Sequence, residues 1–228
     1  MINRIIAAFQ RPEDGWDPIR PQYAAAYARE HGEEADETLV DALEAWIGGF
    51  AGKHVLDLGS GPGQYAVAFA RRGALVTCHD ISRSYLQIAR EKAQASCVAD
   101  RMRFSIGYMD DALCLAPGPW DLVFNRVCWY YAFDDRSFAE LIYRLIAPGG
   151  YGYIDTHNAS FRREDLSLSS AVRTWMNSHL GLKIGHPHPP RGRIEQLLKR
   201  HPFKRLDADY SSPGNDRIRL EKPEGAST

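Results

Sequence analysis

The chain has 228 residues, 44% of them hydrophobic and 25% charged, with 28 basic against 29 acidic side chains and a formal net charge of −1. Such a length and composition fit one larger globular domain, or a domain with an appended cap, and exclude disorder, collagen-like repeats and a disulfide scaffold. The balanced charge argues against a general nucleic-acid binder, and no run of about 18 apolar residues offers a membrane span. The apolar stretch from Ile5 to Phe9 is too short for a signal h-region. Cys78, Cys97, Cys114 and Cys128 form no close pairing motif, which suits a reducing compartment, so a cytoplasmic protein is expected.

The first fifty residues read as helical. Pro21 stands at a first helical position, and Tyr23, Ala24, Tyr27 and Ala28 recur at helix spacing up to Gly32. A second helix starts at about Asp36, carries Leu39, Leu43, Trp46 and Ile47 on one face, and stops at Gly48-Gly49. From Lys53 short apolar runs alternate with helical ones. Strands are predicted at 54–58, 74–79, 102–106 and 120–125, with helices at 62–72 and, capped by Ser82, at 83–94. A helix over 137–146 is stopped by Pro148-Gly149-Gly150, and a fifth strand covers 151–156. This alternation means βαβ units and a parallel sheet covered on both faces. Beyond it come a helical stretch at 161–180, a Pro-, His- and Arg-rich loop at 185–193, a short helix at 194–200 and two late strands at 203–210 and 217–220. The hairpin joining them makes the last strand antiparallel.

The most informative stretch is Val55-Leu56-Asp57-Leu58-Gly59-Ser60-Gly61-Pro62-Gly63. Glycines between a strand and a helix let a nucleotide-like ligand approach the backbone. A dinucleotide fingerprint needs its third glycine at position 64, which is Gln here, and Asp57 would repel a pyrophosphate. A sulfonium and ammonium ligand without phosphate suits an acidic turn, so a nicotinamide oxidoreductase is disfavoured.

These residues resemble the first motif of the class I S-adenosylmethionine-dependent methyltransferases, apolar-apolar-Asp-x-Gly-x-Gly-x-Gly. Later landmarks follow in order over about residues 53–157: Asp80 after Thr77-Cys78-His79, Gly107-Tyr108-Met109-Asp110-Asp111, Trp120-Asp121-Leu122-Val123-Phe124-Asn125, and Leu145-Ile146-Ala147-Pro148-Gly149-Gly150. The resemblance implies S-adenosylmethionine as cofactor, held by Asp57, Gly59, Gly61, Gly63 and Asn125. It also implies Asp80 on the ribose with Ile81 beside it, and Asp110 with Met109 at the adenine; Asp111 is the alternative if the register slips by one. The implied fold is an α/β, Rossmann-like, doubly wound sheet of seven mostly parallel strands with one late antiparallel strand. Its expected parts are a helical lid at 1–50, a methyltransferase domain at 51–221 with an acceptor cap inserted at about 159–200, and a tail at 222–228. Tyr23 and Tyr27 in the lid are expected to close over the cofactor.

Methyl transfer from a sulfonium is an in-line displacement whose leaving group needs no proton, so no loud catalytic motif is expected. Arg126, Trp129, Tyr130 and Tyr131 follow strand four, where the site should face the methyl. Aromatics there suit a small organic acceptor, although Trp129 and Tyr130 read equally well as packing. The D/N-P-P-Y/F stretch of nucleic-acid amino-methyltransferases is missing. A base is needed where the acceptor arrives protonated. His157 at the end of strand five, His188 in the late loop and Tyr130 are the candidates, with His186 and Arg191 placed near the acceptor. No metal is expected, since two loop histidines are not a ligand set. Arg162, Arg163, Arg173, Lys183, Arg191, Arg193, Lys199, Arg200, Lys204 and Arg205 make the late segment basic, which favours an anionic or carrier-bound acceptor. The leading expectation is N- or O-methylation of a small molecule in natural-product or cofactor biosynthesis. Methylation of RNA or protein, and a non-catalytic S-adenosylmethionine-binding module, stay open. The sequence does not speak to oligomeric state.

Overall fold

The computed structural model of the protein describes residues 2–31, 34–116, 118–161, 168–180 and 183–225. Gly32, the charged residues at 162–165 and the last residues of the expected tail, 226–228, lie outside them. Two compact units emerge, one of residues 11–124 and one of residues 1–10 with 125–228, so the division does not fall at residue 50. Helix α1 (Ile2–Ala7) belongs to the second unit.

The first unit runs α2 (Pro21–His31), α3 (Glu37–Ile47), β1 (His54–Leu58), α4 (Gln64–Arg71), β2 (Leu75–Asp80), α5 (Arg83–Ala95), β3 (Met102–Ile106), α6 (Ala112–Leu115) and β4 (Trp120–Arg126) as far as Phe124. Strand β1 pairs in parallel with β2 and β4, and β2 pairs in parallel with β3. Because helices cover both faces, β1 buries apolar residues on each: Val55, Leu56 and Leu58 are fully buried. Phe69 on α4 meets Phe50 at 4.8 Å and Phe124 at 5.1 Å. Each such ring contributes about 1.5–3 kcal/mol by burial. The predicted Ser82 cap forms, accepting from Tyr85 N at 3.2 Å, and Asp36 caps α3 by accepting from Leu39 N at 3.2 Å.

The second unit holds the end of β4, α7 (Asp135–Leu145), β5 (Ile146–His157), α8 (Leu168–Trp175), a π-helical turn (Met176–Leu180), α9 (Arg193–Leu198), β6 (Arg205–Asp209) and β7 (Asn215–Glu221). Strand β7 lies antiparallel to both β5 and β6. The hydrogen-bonded order of the seven strands is β3-β2-β1-β4-β5-β7-β6, the expected doubly wound, mostly parallel sheet.

Three expectations need correction. Helix α7 ends at Leu145 and β5 starts at once, so Pro148-Gly149-Gly150 lies inside the strand. Gly149 turns at φ 74, yet its N–H still reaches Pro223 O at 3.3 Å, and Lys222 N donates to Gly150 O at 2.9 Å. Lys222, expected to begin a loose tail, is fully buried. Its ammonium donates to Tyr143 O at 3.0 Å and Ile146 O at 2.9 Å, taking the orphan carbonyls at the end of α7. The helix expected over 161–180 is, among the described residues, only α8 and its π-helical turn.

Candidate active site

In the first unit Gly59, Gly61 and Gly63 take φ of 79, 52 and 77, which bends the chain tightly from β1 into α4. The N–H groups of Gly59 and Ser60 converge on His79 O at 2.8 and 3.2 Å, so the loop is pinned to the end of β2. Asp80 continues that pinning. Its Oδ2 accepts from Gly61 N at 2.8 Å and its Oδ1 from Ser82 N at 2.9 Å, and the Ile81 backbone adds a third hydrogen bond. The loop therefore sits on a buried acid, with Asp57 also buried at the end of β1. Gln64 Oε1, at the start of α4, is a buried acceptor with no hydrogen-bond partner among the described residues. A site rich in acceptors fits a cationic, N–H- and O–H-bearing ligand and disfavours a phosphate.

His79, which the sequence reading passed over, ties this acid to the loop after β3. Its buried ring has Nε2 at 3.1 Å from Tyr108 O and Nδ1 at 3.0 Å from Ser105 Oγ. Burial lowers its pKa. Met109 is buried and Asp110 half-buried in the short turn that follows. Residues 11–20, also unforeseen, strap across these strand ends. Trp16 stacks on Tyr108 at 6.3 Å, Arg83 donates to Pro12 O at 2.8 Å, and Asp17 accepts from Ser84 N at 2.9 Å. Burial acts to raise the pKa of Asp17, but hydrogen bonds from Ile19, Ser84 and Ser82 hold it below the ordinary range. Tyr23 is exposed and stacks on Tyr27, which meets Tyr85 of α5 at 5.7 Å. The tyrosine pair thus stands beside α5.

Burial pushes Asp80 up to about 6 from 3.8. The folded state therefore binds this proton more tightly than the unfolded chain does. On this group alone, stability is greatest below about pH 4 and falls by about 3 kcal/mol as pH rises through the folded pKa. Ligand binding runs the other way, because only the carboxylate offers its full set of acceptors. Affinity for S-adenosylhomocysteine, titrated calorimetrically, should weaken as pH drops through about 6. Asp80→Ala should cost roughly tenfold to a hundredfold in that affinity at neutral pH. A pH-independent affinity would show that Asp80 does not meet the ligand.

The second unit gathers most of the expected acceptor residues. The ring of Tyr130 lies 4.6 Å from His188, 6.3 Å from His157 and 4.4 Å from Tyr131. Tyr131 meets His186 edge-on at 4.9 Å. Phe161, not anticipated, stacks flat on His157 at 3.6 Å with 6° between the planes. The pKa of His186 is lowered by burial, then by the charge of Lys183. Arg126 lies 3.4 Å from Asp155. Between Arg126 and this aromatic run, Val127 takes φ 58, a conformation costing an L-residue about 1–2 kcal/mol. Its N–H donates to Asp155 O at 2.6 Å, which holds it there.

Two residues are placed otherwise than expected. Trp129 is fully buried edge-on against Phe138 at 4.8 Å, so it packs the core and has no surface to offer an acceptor. Arg191 donates to Tyr210 O and lies over the Tyr210 ring at 5.4 Å, so its guanidinium orders the late loop. Asn125 is fully buried, and its amide donates to Cys128 Sγ at 3.0 Å. Among the described residues no cluster of His, Cys, Asp and Glu could hold a metal, and no helix is long and apolar enough to cross a membrane.

Residues 55–150 match the family model described as a methyltransferase domain. Residues 55–150 are thus a methyltransferase domain. This methyltransferase domain is 33% identical over 110 residues to the ubiquinone biosynthesis O-methyltransferase of Psychrobacter arcticus, covering 48% of this chain and 43% of that protein. It is 31% identical over 105 residues to the tRNA 5-carboxymethoxyuridine methyltransferase of Escherichia coli, covering 46% and 40%. The matched stretch thus spans less than half the length of these relatives. Phosphoethanolamine N-methyltransferase 2 of Haemonchus contortus, solved with S-adenosyl-L-methionine, shares the fold at a TM-score of 0.69 and 18% identity, over 90% of this chain and 57% of that one. The family match takes in the glycine loop, Asp80 and the end of β4, and stops short of His157 and the late loop.

Proposed function

We propose that the chain transfers a methyl group from S-adenosylmethionine to an N–H or O–H group of a small molecule. The observation that carries this is the glycine loop seated on Asp80. Gly59, Gly61 and Gly63 would admit the cofactor to the backbone, Asp80 would accept its ribose hydroxyls, and Met109 and Asp110 would meet the adenine. Bound there, the cofactor would supply an electrophilic methyl group and a thioether leaving group that needs no proton. The acceptor's proton must go elsewhere, and His157 is the group proposed to take it. Tyr130, Tyr131, His186 and His188 would surround the acceptor and keep water from it. Tyr23, on this reading, covers the cofactor.

The Psychrobacter relative, an O-methyltransferase of ubiquinone biosynthesis by name, supports an oxygen atom as the methyl acceptor. The Escherichia coli relative's name supports a second reading, methyl transfer to a tRNA. The net charge of −1 weighs against it. Incubation with methyl-labelled cofactor and, separately, 3,4-dihydroxybenzoate, ethanolamine and bulk tRNA, followed by mass spectrometry, separates these. Label in a small molecule is expected. Label in tRNA alone would establish the second reading. Cofactor binding without transfer to any of them, or to a metabolite extract, would mean a binding module. His157→Ala should lower turnover by about a hundredfold or more while leaving cofactor affinity unchanged.

A further inference from the structure

Strands β5 and β7 pair with His157 directly opposite Asn215 and Asp155 opposite Arg217. Residues opposite one another in an antiparallel pair, and those two apart on one strand, share a face of the sheet. These four side chains therefore form one block. Within it His157 Nδ1 lies 3.1 Å from Asn215 Oδ1, and Asn215 Nδ2 donates to Asp155 Oδ1 at 2.8 Å. Asp155, 2% exposed, faces Arg126 at 3.4 Å and Arg217 at 3.9 Å through its other oxygen.

The chemistry of the donors orders this chain of contacts. A carboxylate can only accept, so Asn215 must turn its NH₂ toward Asp155 and its carbonyl oxygen toward His157. That oxygen also can only accept, so the hydrogen of the imidazole must sit on Nδ1. In the neutral ring Nε2 then carries the lone pair. Phe161, stacked on the same ring at 3.6 Å, fixes its plane. We propose that Asn215 is a positioning residue that holds His157 in the Nδ1–H tautomer, with Nε2 presented as the proton acceptor. The proposal rests on the reading of His157 as the base for the methyl acceptor. On taking the acceptor's proton at Nε2, the imidazolium keeps its Nδ1–H donation to Asn215, so the contact persists through the transfer. The charged and titratable groups around the ring are Asp155, Arg126 and Arg217 through Asn215, and His188 at 5.8 Å with Tyr130 at 6.3 Å.

Nitrogen-15 NMR of the ring reports the tautomer directly, with or without turnover. The full chain, labelled at histidine and saturated with S-adenosylhomocysteine, should show His157 as the Nδ1–H form, assigned by loss of its signals in His157→Ala. Asn215→Leu keeps the branching and removes the acceptor, so the Nε2–H form should then appear. Asn215→Asp keeps an acceptor oxygen toward the ring, so it should retain the Nδ1–H form. A wild-type ring in the Nε2–H form, or a tautomer unchanged in Asn215→Leu, overturns the proposal. If Asn215→Leu does not fold, the wild-type and Asn215→Asp spectra decide it. With a substrate from the panel above, Asn215→Leu should lower kcat about tenfold to a hundredfold with little change in KM. Wild-type kinetics in His157→Ala alongside the expected spectra would instead remove the base reading and leave the tautomer assignment standing.

Discussion

Lys183→Ala should destabilise the protein by about 3–5 kcal/mol, the cost of leaving one member of a buried ion pair without its partner. Lys183 Nζ lies 2.7 Å from Asp135 Oδ1, and their side chains are only 2% and 5% exposed. Asn177 Nδ2 donates to the other oxygen of Asp135 at 3.3 Å. The late segment is thereby tied to the first turn of α7, where the helix dipole already favours a carboxylate. For a chain of this size the loss corresponds to roughly 6–20 °C in melting temperature. Lys183→Met combined with Asp135→Leu should recover most of it, because a well-packed apolar pair carries no desolvation penalty. Removing the ammonium also lifts its repulsion from His186, whose pKa should rise toward the ordinary histidine value. A loss below about 1 kcal/mol in the single variant would show that water reaches the pair.

Gly63→Ala should damage the first unit far more than Gly61→Ala does. A Cβ there would stand 2.6 Å from Ala89 Cβ and 3.2 Å from Ala89 Cα on α5. The residue also takes φ 77, which costs an L-residue about 1–2 kcal/mol. Overpacking adds about 1–3 kcal/mol, and neither helix can retreat without disturbing the loop on Asp80. Unfolding by urea should show the combined loss, and calorimetry should show much weaker binding of S-adenosylhomocysteine. Gly61→Ala is the control. Its Cβ would meet nothing within 4 Å, so only the backbone strain at φ 52 remains. Equal losses in the two variants would contradict the packing account.

The first unit was the more legible in sequence. Its signals are local: glycines that must turn, Ser82 and Asp36 at helix starts, and an acid at the end of each of the first two strands. The candidate acceptor residues of the second unit were read by residue type, which does not say where a side chain points. Trp129 looks like a ligand contact in a list of aromatics, yet its full burial against Phe138 follows from packing that no local pattern encodes. Arg191 looks like an anion binder until the late loop brings it to Tyr210. Trp16 and Asp17 belong to a stretch without periodicity, and their contacts to Tyr108 and Ser84 cross from one segment to another. His157 and Asn215 lie 58 residues apart, and only strand register joins them.

That register gives the connection between β6 and β7 a role beyond chain reversal. Residues 210–214 set the frame in which β7 meets β5, and side chains alternate faces along a strand. Were the turn to keep its five-residue geometry, one inserted residue would slip β7 along both of its neighbours and present Gly214 where Asn215 now stands. Asp216 already holds Asn158 and Gly192 N at 2.8 and 2.7 Å, so the same slip would release the late loop. The five-residue connection is therefore a gauge: its length, more than its composition, decides which side chain the imidazole meets.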